Sequence, residues 1–280
     1  MNLSTKEKAL EQSINSIKEQ YGDGAIMRLL DLPSPTEDVI PTGLSDLDAV
    51  FGIGGVPKGR IIEIHGSEGA GKTALALHIA KQVSAALYID ADHGLPPWLC
   101  GGLHLLTVDN LEAALEAVRV AAAGFDLIVI DSLPALPMQN DTVTELHGPS
   151  PAKLLSKALP ILASELAASG CTLILVNQMR IRPGIMFGNP EKTTGGMALK
   201  FYASIRLDVR RVEVLKEKGK VLGQRVRVEA VKNKLAPPYR TAELCLWYDD
   251  RGLQCAPHEK QKTVVVGGVS GSSGAVKVGI

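Results

Sequence analysis

The chain has 280 residues, 45% of them apolar, 21% charged and only 4% aromatic, which excludes wholesale disorder and leaves Leu, Ile, Val and Ala to build the core. No apolar run reaches the roughly 18 residues of a membrane span, residues 1–6 show no apolar signal region, and Cys100, Cys171, Cys245 and Cys255 lack metal-like spacing, so a soluble cytoplasmic protein without zinc or disulfides is expected. The net charge of zero hides seven acids against one base in residues 84–131, and twelve bases against four acids in residues 200–240; the second stretch is either a nucleic-acid patch or a set of solvated strand faces.

Residues 4–21 read as an amphipathic helix. Ser4 and Glu7 have capping-box spacing, and Leu10, Ile14, Ile17 and Tyr21 fall on one face. The polar, Pro-rich connector 31–37 follows, so this helix lies outside the main domain and needs another surface to cover its stripe. From residue 60 onward, short apolar runs alternate with helical stretches. The runs are 60–65, 86–90, 127–131 and 172–177, nearly continuous in apolar residues as strands buried on both faces should be. Helices are expected near 72–83, 110–122 and 151–168. Asn110 caps the second. The third opens on Ser150-Pro151, and Pro160 should kink it. This alternation predicts an α/β fold with a doubly wound, mainly parallel sheet. Alternating strands at 204–209, 225–231 and 241–247 then add an antiparallel extension. Three regions are expected: 1–38 as helix and connector, 39–250 as core, and 251–280 as a flexible Gly/Ser-rich tail.

Gly66-Ser67-Glu68-Gly69-Ala70-Gly71-Lys72-Thr73 matches the phosphate-loop pattern G-x-x-x-x-G-K-[ST], between a predicted strand and a predicted helix. Glycines let backbone N–H groups close on phosphate oxygens at the positive end of the helix. Lys72 then reaches the β and γ phosphates, and the Thr73 hydroxyl serves Mg²⁺. Asp131 ends a predicted strand and is the candidate magnesium-side carboxylate. Asp92, just past another, is the candidate base for the attacking water, with Asp90 a close competitor.

These pieces, together with YGDGAIMRL (21–29), the 42–66 stretch, GIMFGNPEKTTGGMALKFYASIRLD (184–208) and VKNK (231–234), resemble the bacterial RecA recombinases from about residue 7 to 247. The resemblance implies a RecA-like P-loop ATPase using ATP and Mg²⁺. It implies partners in single-stranded DNA, homologous duplex DNA and further copies of the chain in a filament, with no membrane, and roles in recombination, repair and the SOS response. It also implies that the N-terminal helix packs on the next subunit and that Gln178 senses the γ-phosphate. Residues 179–196 would form the second DNA-binding loop, with Arg180, Arg182, Met186, Phe187, Gly195 and Gly196 at matching positions. Lys232 and Lys234 would reach a neighbour's ATP. The residue chemistry agrees: basic side chains neutralise phosphates, and Met186-Phe187 offers an apolar wedge between bases.

The chain also departs from the family. Asp92 stands where the family has glutamate, one methylene longer. Residues 135–152 align poorly with the first DNA-binding loop, leaving Lys153 a weak candidate there. The stretch Leu95-Pro96-Pro97-Trp98 replaces the usual base pocket, so Trp98 is either an adenine stack or structural. The family's C-terminal domain has no counterpart in this sequence. These departures keep a second expectation open, a degenerate relative that binds ATP and modulates recombinase filaments without strand exchange.

Overall fold

The computed structural model describes residues 3–26, 38–95, 101–139, 150–181, 191–193, 196–249 and 251–256. Apolar strands build its centre. β3 (Ile61–Gly66), β4 (Ala86–Asp90) and β6 (Leu127–Asp131) are buried along their whole length. Such strands require cover on both faces, and parallel pairing with helical crossovers supplies it. β7 (Thr172–Ile181) lies between β3 and β6, and β5 (His104–Leu106) closes that edge. On the other side β3 pairs in parallel with β9 (Ile205–Glu217). Antiparallel β10 (Lys220–Asn233), β11 (Thr241–Trp247) and β12 (Leu253–Cys255) continue the sheet. The order is β12-β11-β10-β9-β3-β7-β6-β4-β5. A short pair, β1 (Val39–Ile40) with β2 (Val56–Pro57), stands apart, and β8 (Glu191–Thr193) pairs with the end of β7.

Alternate residues of each strand serve opposite faces. Ile62, Ile64, Ile174 and Val176 pack with α2 (Ser45–Phe51) and α3 (Lys72–Ala80). Ile61, Leu173, Leu175, Ile128 and Ile130 pack with α4 (Leu111–Ala121) and α5 (Pro151–Ser169), and α6 (Gly196–Tyr202) adds Leu199 there. The helix starts follow the sequence signals. The Asn110 side chain accepts from the Ala113 N–H at 2.8 Å, and Ser150-Pro151 opens α5.

Several boundaries differ from expectation. α1 (Leu3–Tyr21) begins at Leu3, so Ser4 sits inside its first turn rather than capping it. α5 runs unbroken through Pro160, because its row of Leu155, Leu159, Leu162 and Leu166 is buried against the sheet and tertiary packing outweighs the local cost. β9 and β10 form a hairpin of 13 and 14 residues, far longer than the two short strands expected. Its outer half is exposed and charged and has no apolar run to announce it. Ladder hydrogen bonds between the two strands hold it instead. Cys245 lies within β11, whereas Cys171 stands just before β7. β12 carries the sheet past residue 250, and residues 257–280 lie outside the described residues.

α1 packs broadly against none of the other described elements, and its apolar stripe is open, with Leu10 59% and Tyr21 69% exposed. No described helix is long and apolar enough to cross a membrane.

Candidate functional site

The carboxyl ends of the parallel strands gather at one edge of the sheet, where open α/β folds bind ligands. β3 ends at Gly66, where an added Cβ would lie 2.1 Å from the Val209 carbonyl oxygen, so glycine is needed for β3 and β9 to approach. The loop then turns through Gly69 and Gly71, both at positive φ (+67° and +95°), into α3, whose first residue is Lys72. Gln224 of β10, 2% exposed, donates to the Gly69 carbonyl at 3.1 Å and ties the loop to the antiparallel extension.

Lys72 is largely buried and donates to the Ser67 carbonyl at 2.7 Å, folded back on its own loop. Burial lowers its pKa, and the charges of Asp131, Glu68 and Asp92 oppose that. Asp131 is buried on the same edge, and desolvation raises its pKa. Hydrogen bonds from Tyr88 and Thr73 pull it down, the Asp92 charge pushes it up and Lys72 lowers it. The Tyr88 hydroxyl donates to Asp131 Oδ2 at 2.6 Å. Lys72, Thr73 and Asp131 therefore lie together at this edge. Among the described residues no group of three or more His, Cys, Asp or Glu side chains could hold a metal by itself. The oxygen donors of Thr73 and Asp131 suit a hard cation that draws its remaining ligands from phosphate oxygens and water, as Mg²⁺ does.

Asp90 and Asp92 separate cleanly. Asp90 is 4% exposed and accepts from the backbone N–H groups of Gly94 and Leu95 at 3.4 and 3.0 Å, a turn-making role. Asp92 is exposed beside Asp131, and its Oδ2 lies 3.4 Å from the Ser132 hydroxyl that donates to it.

Gln178 is half-buried on β7, in register with Gly66 of β3. Its backbone N–H donates to Asn177 Oδ1 at 2.9 Å. Asn177 Nδ2 donates to Glu63 Oε1 at 2.9 Å, and Arg206 Nε pairs with Glu63 Oε2. A buried polar chain thus links β7, β3 and β9 beneath the site. Neither the composition nor the spacing of Glu63, Asn177 and Arg206 announced it.

Arg180 continues β7 beyond Gln178 in the backbone. Arg182, Met186, Phe187 and Gly195 lie outside the described residues, as does Trp98. Gly196 opens α6 at φ +67°, and a Cβ there would sit 2.9 Å from Ala152 Cβ. Glycine is therefore required for packing α6 on α5, whatever else it contacts. Lys232 and Lys234 both turn toward α6. Lys232 Nζ donates to the carbonyls of Lys200, Phe201 and Ala203 at 2.5, 3.0 and 2.7 Å. Burial, then the charges of Lys234 and Arg206, lower its pKa to about 8. Lys234 Nζ sits 5.4 Å from the Phe201 ring centroid. Within one chain these lysines serve the end of a helix.

The basic stretch 200–240 is not a uniform patch either. Arg206 is held inside with Glu63, Arg210 pairs with Asp208, and Arg225 and Arg227 pair with Glu213 and Glu243 across the sheet. Part of the charge is thus held in pairs, and segment totals do not register that.

Comparison with known proteins adds independent findings. The family model described as the RecA N-terminal domain matches residues 8–254. The chain is 47% identical over 259 residues to the protein RecA of Frankia casuarinae, covering 87% of this chain and 75% of that one. It is 44% identical over 262 residues to the protein RecA of Geobacter metallireducens, covering 88% and 77%. Among solved structures the RadB recombinase matches at a TM-score of 0.58 and 18% identity, covering 78% of this chain and all of that one. That likeness concerns the fold.

Proposed function

The chain belongs to the RecA family, and from that premise we propose that it is an ATP-dependent recombinase that coats single-stranded DNA as a filament and promotes homologous pairing and strand exchange in DNA repair. The observation that carries this is the register of β3 and β7. The last residue of the strand feeding the phosphate loop, Gly66, stands beside Gln178. From Gln178 the same strand runs straight into residues 179–196, the segment that resembles a DNA-binding loop. One strand therefore bears on both ligands.

In this reading the backbone N–H groups of residues 67–73 cradle the triphosphate. Lys72 exchanges the Ser67 carbonyl for phosphate oxygens, which return to it the charge partner that burial costs it. Thr73 and Asp131 hold Mg²⁺, which would neutralise charge on the phosphoryl oxygens. Asp92 orients the attacking water, and its exposure leaves room for one. Gln178 touches the γ-phosphate and passes its presence along β7. Arg180, Arg182, Met186, Phe187, Gly195 and Gly196 contact DNA. The open stripe of α1 is covered by the next subunit, and the filament works in the cytoplasm. ATP favours the DNA-gripping form in proportion to its differential affinity for it, and hydrolysis releases that form.

Asp92 favours one second reading. A carboxylate one methylene short is poorly placed for water, and displacement of about 1 Å can cost on the order of 10²-fold in rate. A relative with that defect binds ATP and modulates filaments without completing exchange. The test mixes purified protein, single-stranded DNA, homologous duplex, ATP and Mg²⁺ and follows joint molecules. Joints that require ATP and homology support the recombinase. ATP-dependent DNA binding without joints supports the modulator. DNA retention indifferent to nucleotide overturns both.

A further inference from the structure

The two strands that bring Asp90 and Asp131 side by side also place a phenol next to the cation-side carboxylate. β4 and β6 pair in parallel with Tyr88 opposite Val129 and Asp90 opposite Asp131. Tyr88 and Asp131 are thus diagonal neighbours two residues apart, a spacing that a long aromatic side chain can bridge. Tyr88 is fully buried, packed in the core that includes Ala76, Ala80 and Val129. A ring held this way has one orientation, so its hydroxyl is a fixed donor. It meets Asp131 Oδ2 at 2.6 Å, within the range of a charge-assisted O–H···O⁻ bond.

We infer that Tyr88 is a positioning residue for Asp131, holding the carboxylate in the orientation that serves the Mg²⁺ of the bound nucleotide. The terminal torsion of aspartate is broad and roughly two-fold, so a carboxylate without an anchor spreads over orientations and loses time in the productive one. Oδ2 is committed to the phenol, and the Thr73 hydroxyl is the carboxylate's other donor, so the phenol is the anchor that stays in place when Thr73 turns to a hydrated cation. Outer partners of this kind tune metal affinity by about 10- to 100-fold when removed. The chain carries Tyr88 in the run ALYID, between the apolar strand residues Leu87 and Ile89, and a phenylalanine would fill the same volume. The hydroxyl is therefore present for something other than packing. This inference rests on the reading of Asp131 as the magnesium-side carboxylate.

The test measures equilibrium binding of a fluorescent, non-hydrolysable ATP analogue as Mg²⁺ is titrated, so no turnover enters the readout. The parent, Tyr88→Phe, Asp131→Asn and the double variant are compared, with thermal melts to establish that each is folded. Tyr88→Phe is expected to raise the Mg²⁺ concentration at half-saturation on the order of tenfold while leaving analogue binding in EDTA unchanged. In the Asp131→Asn background the same substitution is expected to do nothing further, the signature of two residues acting through one contact. If Tyr88→Phe titrates like the parent while Asp131→Asn shifts, the inference is overturned and the reading of Asp131 stands. If Asp131→Asn shows no shift either, that reading falls and takes the inference with it. Equal weakening of binding with and without Mg²⁺ in Tyr88→Phe means a packing role and also overturns it.

Discussion

Removing the Arg206 guanidinium tests the buried chain beneath the site most sharply. Glu63 is completely buried, and each carboxylate oxygen has a donor: Oε1 takes Asn177 Nδ2 at 2.9 Å, and Oε2 takes Arg206 Nε. In Arg206→Met the stem still packs, but buried Oε2 loses its donor. Breaking one partner of such a buried pair costs roughly 3–5 kcal/mol. Against a total of about 5–15 kcal/mol, that is a large share of the protein's stability. For a domain of this size each kcal/mol shifts the melting temperature by roughly 2–4 °C, so a fall of about 6–20 °C is expected. Urea titration followed by circular dichroism should show the same loss as an earlier midpoint with an unchanged slope. Glu63→Gln placed on top of Arg206→Met should restore most of it, because a neutral amide there needs no cationic partner. Arg119→Met, which breaks only an exposed pair with Glu116, should leave the transition where it is. An Arg206→Met protein within about 1 kcal/mol of the parent would refute the claim that buried Glu63 depends on Arg206.

Two further outcomes follow from the site. Asp92→Glu should raise single-stranded-DNA-stimulated ATP turnover on the order of tenfold or more, since it returns the carboxylate toward the water; equal turnover would remove Asp92 from the chemistry. His65, 6% exposed, has its Nδ1 3.7 Å from Asp208 of β9 and lies within the fields of Arg206 and Arg210 of β9, Lys200 of α6 and Lys72 of α3. Burial, then the Arg206, Lys200, Arg210 and Lys72 charges, lower its pKa from 6.5 to about 3. The unfolded chain therefore takes up a proton below pH 6.5 that the folded chain refuses until about pH 3. Stability is full above 6.5 and should fall by roughly 1.4 kcal/mol per pH unit across that window from this residue. His65→Phe should flatten the urea-midpoint profile between those limits, and an unaltered profile would count against it.

The parallel half of the fold was legible because its strands are nearly unbroken apolar runs and its helices open on local signals, Asn110 as a cap and Pro151 in a first turn. β4 and β6 have the predicted bounds, as does β11 in the antiparallel extension. The phosphate loop was legible because its chemistry dictates residue types at fixed spacing. What escaped was everything decided across strands. Arg206 reads as one more surface base until β9 is seen beside β3, where it faces Glu63. Tyr88 reads as a core aromatic until the β4–β6 register sets its hydroxyl on Asp131. Gln224 carries no local signal at all, because its partner Gly69 lies 155 positions away in the chain. The basic total of residues 200–240 is equally silent on pairing, since Glu63 and Glu243, which hold Arg206, Arg225 and Arg227, stand on neighbouring strands.

Lys232 leaves one last consequence. A single ammonium closes off the last carbonyls of α6, and α6 is the helix onto which the 179–196 segment leads. An amine has one location at a time. To meet a triphosphate held by an adjoining copy, as the family resemblance implies, it would first have to vacate that helix end and leave three oxygens wanting. Occupancy of one pocket is thereby debited from the order of the element that anchors another, and the same exchange runs in reverse when the phosphate departs. A toggle of this sort needs no hinge and no lid, only a side chain with two mutually exclusive addresses.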